Sequence, residues 1–213
     1  MQTFLTVLLR GLVFAAGFAA LSWEVLWQLQ ATLALGASAR GTAIVLATVM
    51  AGMSAGALIM GRALEGRTLR RPLRLYAVLE LTIGLSGLLL LQGFHLLDEF
   101  DQNLYQSTPS ISAPAHALGI ALVIGLPSLA MGATIPILGL VAQSFGVSLS
   151  RLYALNTIGA AVGCLALAFV ILPALGVYHC SLALAAVNFL VATVAYLFPQ
   201  GDRRPEPEEQ SAA

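Results

Sequence analysis

The chain contains no lysine and little charge of either sign. Its ten basic side chains are all arginine, ten acidic ones balance them, and charged residues make up 9% of the 213 positions. Soluble domains carry about 25% charged residues, so the composition excludes an ordinary soluble domain. With zero net charge the chain lacks a long-range field that would attract nucleic acid, and no nucleic-acid partner is expected.

Sequence motifs for nucleotide and metal chemistry are absent as well. The chain has no phosphate-binding G-x-x-x-x-G-K-[ST] loop, no H-E-x-x-H pair and no Gly-rich turn of a dinucleotide-binding unit. The histidines lack the spacing of metal ligands, so we expect no metal and no cofactor, and interfacial positions for His95, His116 and His179. Packed thiols are expected, rather than a disulfide framework, at Cys164 and Cys180.

Apolar sequence is what the chain has in abundance, with 59% hydrophobic residues and a mean hydropathy of +0.89. A helix of about 20 apolar residues crosses a bilayer. This length predicts an all-α, polytopic membrane protein with six transmembrane helices, near 8–35, 41–64, 73–97, 115–142, 151–173 and 177–198. The span edges coincide with Pro72, Pro114, Pro173 and Pro199. Two prolines inside the fourth span, Pro127 and Pro136, predict a kinked or broken helix.

The arginines predict the orientation of these spans. In a six-span topology one side of the membrane holds Arg10, Arg62, Arg67, Arg70, Arg71, Arg74, Arg151, Arg203 and Arg204, and the other holds Arg40. The positive-inside rule then places both termini in the cytoplasm and residues 98–114 outside the plasma (inner) membrane. Residues 1–199 would form one transmembrane domain, followed by a disordered cytoplasmic tail at 200–213.

Glu24 is the acidic residue placed deepest in an apolar stretch, which runs from Leu12 to Leu35. A carboxylate in lipid is costly unless it is paired, hydrated or protonated. Glu24 is therefore the first candidate for ligand binding or proton carrying, with a buried structural hydrogen bond as the alternative. Trp23 and Trp27 flank it, and they would either bind an organic cation through their π faces or pack within the bundle.

Three further polar residues lie inside the predicted spans. Glu80 is about two turns from the cytoplasmic edge set by Pro72, where it could reach an arginine of the 62–74 connection by snorkelling. Asn156 and Asn188 are expected to join helices through hydrogen bonds worth about 1 kcal/mol each. The candidate ligand-binding set is Glu24, Trp23, Trp27, Glu80 and Asn156.

Small residues recur at helical spacing in two of the spans. Gly52 and Gly56 are four residues apart, as are Gly159 and Gly163. Such faces let helix backbones approach closely in a membrane. We expect them to pack within the chain, with a face for a second copy as the alternative.

Eight short segments follow one another in order from residue 17 to residue 176. They read GFAALSWEVLW at 17–27, LGAS at 35–38, LATVMAGMSAG at 46–56, GR at 61–62, LYAVLE at 75–80, LPSLAMGATIP at 126–136, LYALNTIGAAVG at 152–163 and LPALG at 172–176. Together they resemble the membrane module of the fused transporter/spermidine-synthase-like family, and the resemblance covers residues 12 to about 198. The resemblance maps family signature positions onto Glu24, Glu80, Pro127, Pro136 and Asn156.

The chain departs from that family in two respects. Family members usually carry an arginine shortly after the second tryptophan, where this sequence has Gln28-Leu29-Gln30, so Glu24 would lack its usual partner. Members also commonly continue into a cytoplasmic synthase-like domain, which would begin where this chain stops. The transfer chemistry of that domain is therefore not expected of this polypeptide.

The arginine-rich connection at 61–71 also resembles the cytoplasmic loop between helices two and three of the major facilitator superfamily. This resemblance implies half of a major facilitator fold, with three-plus-three inverted repeats. The function we expect is a membrane subunit that binds a small cationic or amphipathic molecule, for transport or for presentation to a cytoplasmic synthase-like partner. A second copy or another membrane subunit is a further expected partner. The alternatives are a non-transporting scaffold and, less favoured, an enzyme using Glu24 as acid or base.

Overall fold

The protein is a bundle of long helices. The computed structural model describes residues 2–35, 38–67 and 69–198, and these described residues contain no strand. In chain order the elements are α1 (Gln2–Leu35), α2 (Ala39–Leu64), α3 (Pro72–Ser107), α4 (Pro109–Phe145), α5 (Leu149–Ala166), a π-helical turn (Leu167–Ile171) and α6 (Leu172–Leu197). Five stretches are long and apolar enough to cross a membrane: Thr3–Ala34, Ala39–Leu64, Pro72–Ser107, Pro109–Phe145 and Leu149–Leu197.

Local sequence explains where several helices begin and end. The Ser38 side chain accepts a hydrogen bond from the Gly41 backbone N–H and caps α2. Proline in the first turn starts α3 at Pro72 and α4 at Pro109, where its missing N–H leaves no helical bond unmade. Gly146 ends α4 in the left-handed conformation, with φ of 61°, which glycine adopts without steric cost.

The segment at 98–114, which the sequence predicts to lie outside the membrane, is helical rather than a loop. Helix α3 continues to Ser107, α4 begins at Pro109, and only Thr108 separates them. At 1.5 Å per residue each helix is about 54 Å long, well beyond the apolar thickness of about 30 Å. Together the two helices form a hairpin that is longer than this apolar thickness. The sequence missed it because hydropathy detects only the lipid-facing part of a helix.

Helix α4 runs without interruption through Pro114, Pro127 and Pro136. Of the kinked or broken helix predicted for the fourth span, the break is absent and the kink stays a prediction; Pro114 lies within the helix rather than at its edge. Pro127 is buried, next to the segment on which α2 packs. Tertiary contacts around this segment hold the helix together where prolines remove backbone donors.

The helical break lies instead at Gly176. Its φ of 71° and ψ of 170° are non-helical and interrupt α6 near its start. The π-helical turn at Leu167–Ile171 precedes Pro173, whose missing N–H disturbs the preceding hydrogen-bond ladder. The long apolar stretch Leu149–Leu197 is thus divided at Gly176.

The chain reverses direction around this glycine. Gly163 packs against Phe18 and Ser22 of α1, and Asn188 is hydrogen-bonded to Trp23. Along one straight helix, Gly163 and Asn188 would be about 37 Å apart. Both nevertheless meet adjacent residues of α1, so the chain turns back between them, and Gly176 stands midway.

Glycine contacts join α2 to α4 and α1 to α5. A Cβ added to Gly56 would overlap the Leu129 carbonyl oxygen, and one added to Gly132 would overlap the Met53 carbonyl oxygen. On the other pair, Gly159 lies against the Phe14 carbonyl oxygen. Both pairs are close backbone contacts of the kind that drive helix association in lipid.

We expect Gly56→Ala to destabilise the protein by about 1–3 kcal/mol, because the new methyl group has no room against α4. Thermal unfolding in detergent micelles measures the change. The matched control is Gly61→Ala in the same helix, where nothing lies within 4 Å of the added atom. Equal stability of the two variants would contradict the close α2–α4 packing.

Candidate functional site

A buried chain of hydrogen bonds crosses the centre of the bundle. The Trp23 Nε1 donates to Asn188 Oδ1 at 2.8 Å, and Asn188 Nδ2 donates to Glu80 Oε2 at 2.8 Å. The Tyr76 hydroxyl is also hydrogen-bonded to the Glu80 carboxylate. Each of these side chains is at most 3% exposed. We call Trp23, Asn188, Glu80 and Tyr76 the relay.

The relay connects three helices that are distant in sequence. Trp23 lies on α1, Tyr76 and Glu80 lie one turn apart on α3, and Asn188 lies on α6. An amide has a distinct acceptor and donor end, and here the acceptor faces Trp23 while the donor faces Glu80. Asn188 therefore serves as the interhelical link expected of it, with both ends of its amide occupied.

The snorkelling interpretation of Glu80 is wrong. Its carboxylate bonds to Asn188 and Tyr76 and makes no ion pair with any described residue. The nearest arginine on the same helix, Arg74, stacks instead on the Tyr196 ring, with 4.8 Å between the guanidinium carbon and the ring centroid. Sequence reasoning identified Asn188 as an interhelical hydrogen-bonding residue but did not pair it with Glu80.

Trp23 and Trp27 pack on each other in the core. Their ring centroids are 6.0 Å apart and their planes differ by 21°. Gly87 of α3 lies against the Trp23 ring, where an added Cβ would come within 2.6 Å. The described contacts of the pair are therefore packing contacts, one of the two possibilities left open by the sequence.

Glu24 has a different environment from the relay. It lies about 100° around the helix from Trp23, is half-buried, and makes no hydrogen bond or ion pair with a described residue. Three buried polar atoms nearby on α1 also lack a hydrogen-bond partner among the described residues: Ser22 Oγ, Trp27 Nε1 and Gln28 Oε1. This segment of α1 therefore combines an unpaired acid with three buried polar atoms that have no hydrogen-bond partner among the described residues.

Asn156 is not brought to Glu24 by any described contact. Its backbone carbonyl lies against Gly17, two turns before Glu24, and its half-buried side chain has no hydrogen bond with a described residue. The register of Phe14 with Gly159 places Glu24 about level with the π-helical turn. Such turns expose backbone carbonyls that an ordinary helix would use internally, and they are frequent at functional sites.

A second polar cluster lies in the hairpin formed by α3 and α4. His116 is buried between Asp101, 3.3 Å from its Nδ1, and Asp98, 3.8 Å from its Nε2. Ser112 donates a hydrogen bond of 2.6 Å to Asp101. His116 is thus buried inside the hairpin, whereas an interfacial position was expected. No group of three or more His, Cys, Asp or Glu side chains in the described parts of the chain is arranged so that it could hold a metal ion, and both cysteines there are free.

Comparison with known proteins gives a distant but extended match. The chain is 31% identical, over 202 residues, to polyamine aminopropyltransferases of Mycobacterium tuberculosis and Mycobacterium bovis. The match covers 89% of this chain and 36% of each relative, so the chain spans about a third of their length. No family model and no solved structure matches. The chain is therefore a distant homologue, over most of its own length, of proteins named polyamine aminopropyltransferases.

Proposed function

We propose that this chain is an integral membrane subunit that binds a small organic cation at Glu24. The observation that carries the proposal is the unpaired state of Glu24, half-buried in an apolar span without a partner among the described residues. A carboxylate in that position favours a cationic ligand, because an opposite charge offsets the cost of removing it from water. Gln28, one turn further on, adds an unpartnered acceptor oxygen.

The chemical class of the cation follows from the relatives. Their name specifies polyamines, which are flexible chains of methylene groups carrying several ammonium groups. An ammonium group would pair with Glu24 while methylene groups lie along the apolar walls of the span. The bound molecule would then be transported or presented to a cytoplasmic synthase-like partner.

Binding of spermidine to the purified protein in lipid nanodiscs tests the proposal directly. Isothermal calorimetry should detect saturable binding that weakens as salt is added, because the contact is between opposite charges. Lack of binding at spermidine concentrations up to about 1 mM would refute a polyamine ligand. A dissociation constant of about 1 mM corresponds to a binding free energy of about −4 kcal/mol.

Six membrane crossings with both termini inside is the topology we propose, as in half of a major facilitator fold. The reversal around Gly176 divides the last apolar stretch into two crossings. One buried cluster gathers the inner ends of the helices, with Leu9, Leu73, Val141, Leu152 and Ala195 in it and Met60 and Leu64 of α2 packed against it. The arginines of the connection between α2 and α3 lie at that end, while Arg40 lies at the other. A second copy would complete a full-size transporter.

Cysteine labelling distinguishes this topology from five crossings. In a variant without Cys164 and Cys180, single cysteines at Ser107 and Tyr178 should react with an impermeant reagent in intact cells. A cysteine at Ser211, outside the described residues, should react only after the cells are opened. Labelling of Ser211 in intact cells, or protection of Tyr178, would contradict the six-crossing arrangement.

The alternative of a scaffold has lost its main structural support. It relied on small-residue faces for docking partners, and those glycines are already used within the chain. Gly52 and Gly56 pack on α4, while Gly159 and Gly163 pack on α1. A scaffold would also leave unexplained why Glu24 stays unpaired in a span.

A further inference from the structure

We propose that Glu80 is a reversible proton-binding site and that Asn188 transmits its protonation state to Trp23. The proposal rests on the relay alone and requires neither a ligand nor Glu24. One proton from water bonds to a Glu80 carboxyl oxygen and later leaves it, and no other bond forms or breaks. The chain would thus bind protons at the junction of α1, α3 and α6.

Hydrogen-bond accounting shows why both states of Glu80 are accessible. The ionised carboxylate accepts bonds from Asn188 and Tyr76, but it is 3% exposed and lacks a cationic partner among the described residues. Burial of an unpaired charge is costly. The neutral acid removes that cost, but one of its oxygens becomes a donor and needs an acceptor. The surrounding side chains therefore stabilise neither the ionised nor the neutral form of Glu80 completely.

The Tyr76 hydroxyl supplies that acceptor. A phenol both donates and accepts hydrogen bonds, so its proton can rotate away and its oxygen can accept the Glu80 O–H. Tyr76 is also one turn nearer than Glu80 to the start of α3 at Pro72. Glu80 is about 12 Å from that end of the helix, which makes the Tyr76 side the short route for a proton.

Other titratable groups do not replace Glu80 in the relay. On neighbouring turns and helices these groups are Arg74 on α3, Arg10 and Glu24 on α1, and Tyr178, His179, Cys180 and Tyr196 on α6; α4 contributes His116, in the hairpin. Arg74 is occupied with the Tyr196 ring, and His116 with the two aspartates. Of all titratable side chains described, Tyr76 is the one bonded to Glu80.

The two tryptophans of the chain make the site measurable. Trp23 is bonded to the relay and stacked on Trp27, so a change at Glu80 should alter their fluorescence. We expect one pH-dependent step in the emission of ligand-free protein in nanodiscs, titrated from about pH 5 to about pH 9. Glu80→Gln should lose the step, and Glu24→Gln should keep it. A step that survives in Glu80→Gln, or disappears in Glu24→Gln, overturns the proposal.

Infrared difference spectroscopy keeps the test decisive if Glu80→Gln does not fold. Glu80 is the one fully buried acid among the described residues, and the Glu24→Gln variant also removes the half-buried acid of α1. Lowering the pH should produce the carbonyl band of a buried carboxylic acid in this variant, and a missing band refutes proton binding at Glu80. No polyamine is present in this experiment, so its result does not depend on cation binding at Glu24. Likewise, the spermidine-binding experiment does not depend on proton binding at Glu80.

Discussion

Replacing Glu24 by glutamine should weaken polyamine binding at least tenfold while leaving the bundle folded. A hydrogen bond to a charged group is worth about 1.5–3 kcal/mol, and 1.4 kcal/mol corresponds to a tenfold change in affinity. Folding should be nearly unaffected, because Glu24 has no partner among the described residues whose loss would matter. Calorimetry with spermidine measures the affinity, and thermal unfolding in detergent measures the stability.

The matched control is Glu99→Gln, which removes an exposed acid on the extended end of α3. It changes the net charge equally and should bind spermidine as the wild type does. If Glu24→Gln binds as tightly as this control, Glu24 is not the cation site. If instead Glu24→Gln is strongly destabilised and the surviving protein still binds, Glu24 has a structural role and the proposed function is refuted.

Replacing Asn188 by leucine should destabilise the protein by about 2–4 kcal/mol. The substitution preserves side-chain size but leaves the Trp23 N–H and a Glu80 oxygen buried without a partner. Each buried polar group that is left without a hydrogen-bond partner lowers the stability of the fold by about 1–3 kcal/mol, and by more when the group is charged. Reversible unfolding in mixed micelles measures the loss, and the variant should also unfold at a lower temperature.

Two comparisons make this prediction specific to the relay. Asn103→Leu changes an exposed asparagine on α3 and should shift stability by less than about 0.5 kcal/mol. Combining Asn188→Leu with Glu80→Leu removes donor and acceptor together and should cost less than the two single changes added. Additive effects of the two substitutions would show that the Asn188–Glu80 bond contributes nothing to stability.

Hydropathy and proline placement predicted much of the fold. The class of protein, the helical content and the start of α3 at Pro72 follow from local chemistry, since about 20 apolar residues and a proline in the first turn act within one segment. The unbroken course of α4 does not follow from local chemistry. Proline weakens any isolated helix, and only contacts with neighbouring helices decide whether Pro127 and Pro136 interrupt it.

The candidate site was predicted residue by residue but not as an arrangement. Glu24, Glu80 and Trp23 stood out in the sequence because polar and aromatic residues are rare in these spans. Their roles separated only in three dimensions, where Trp23 and Glu80 share the amide of Asn188 and Glu24 has no partner among the residues that the structure describes. That amide lies more than 100 positions away from Glu80 in the chain, a distance over which no local pattern specifies a partner.

By itself the sequence determined that this chain has segments long and apolar enough to cross a bilayer, since its 59% hydrophobic composition acts through every segment independently. It also determined that an acid must lie within the first span. Tertiary structure alone decided which acid is paired and where the last apolar stretch turns back. The reason is physical: transfer from water to lipid is a property of each segment, whereas hydrogen-bond partners and helix contacts are properties of the assembled bundle.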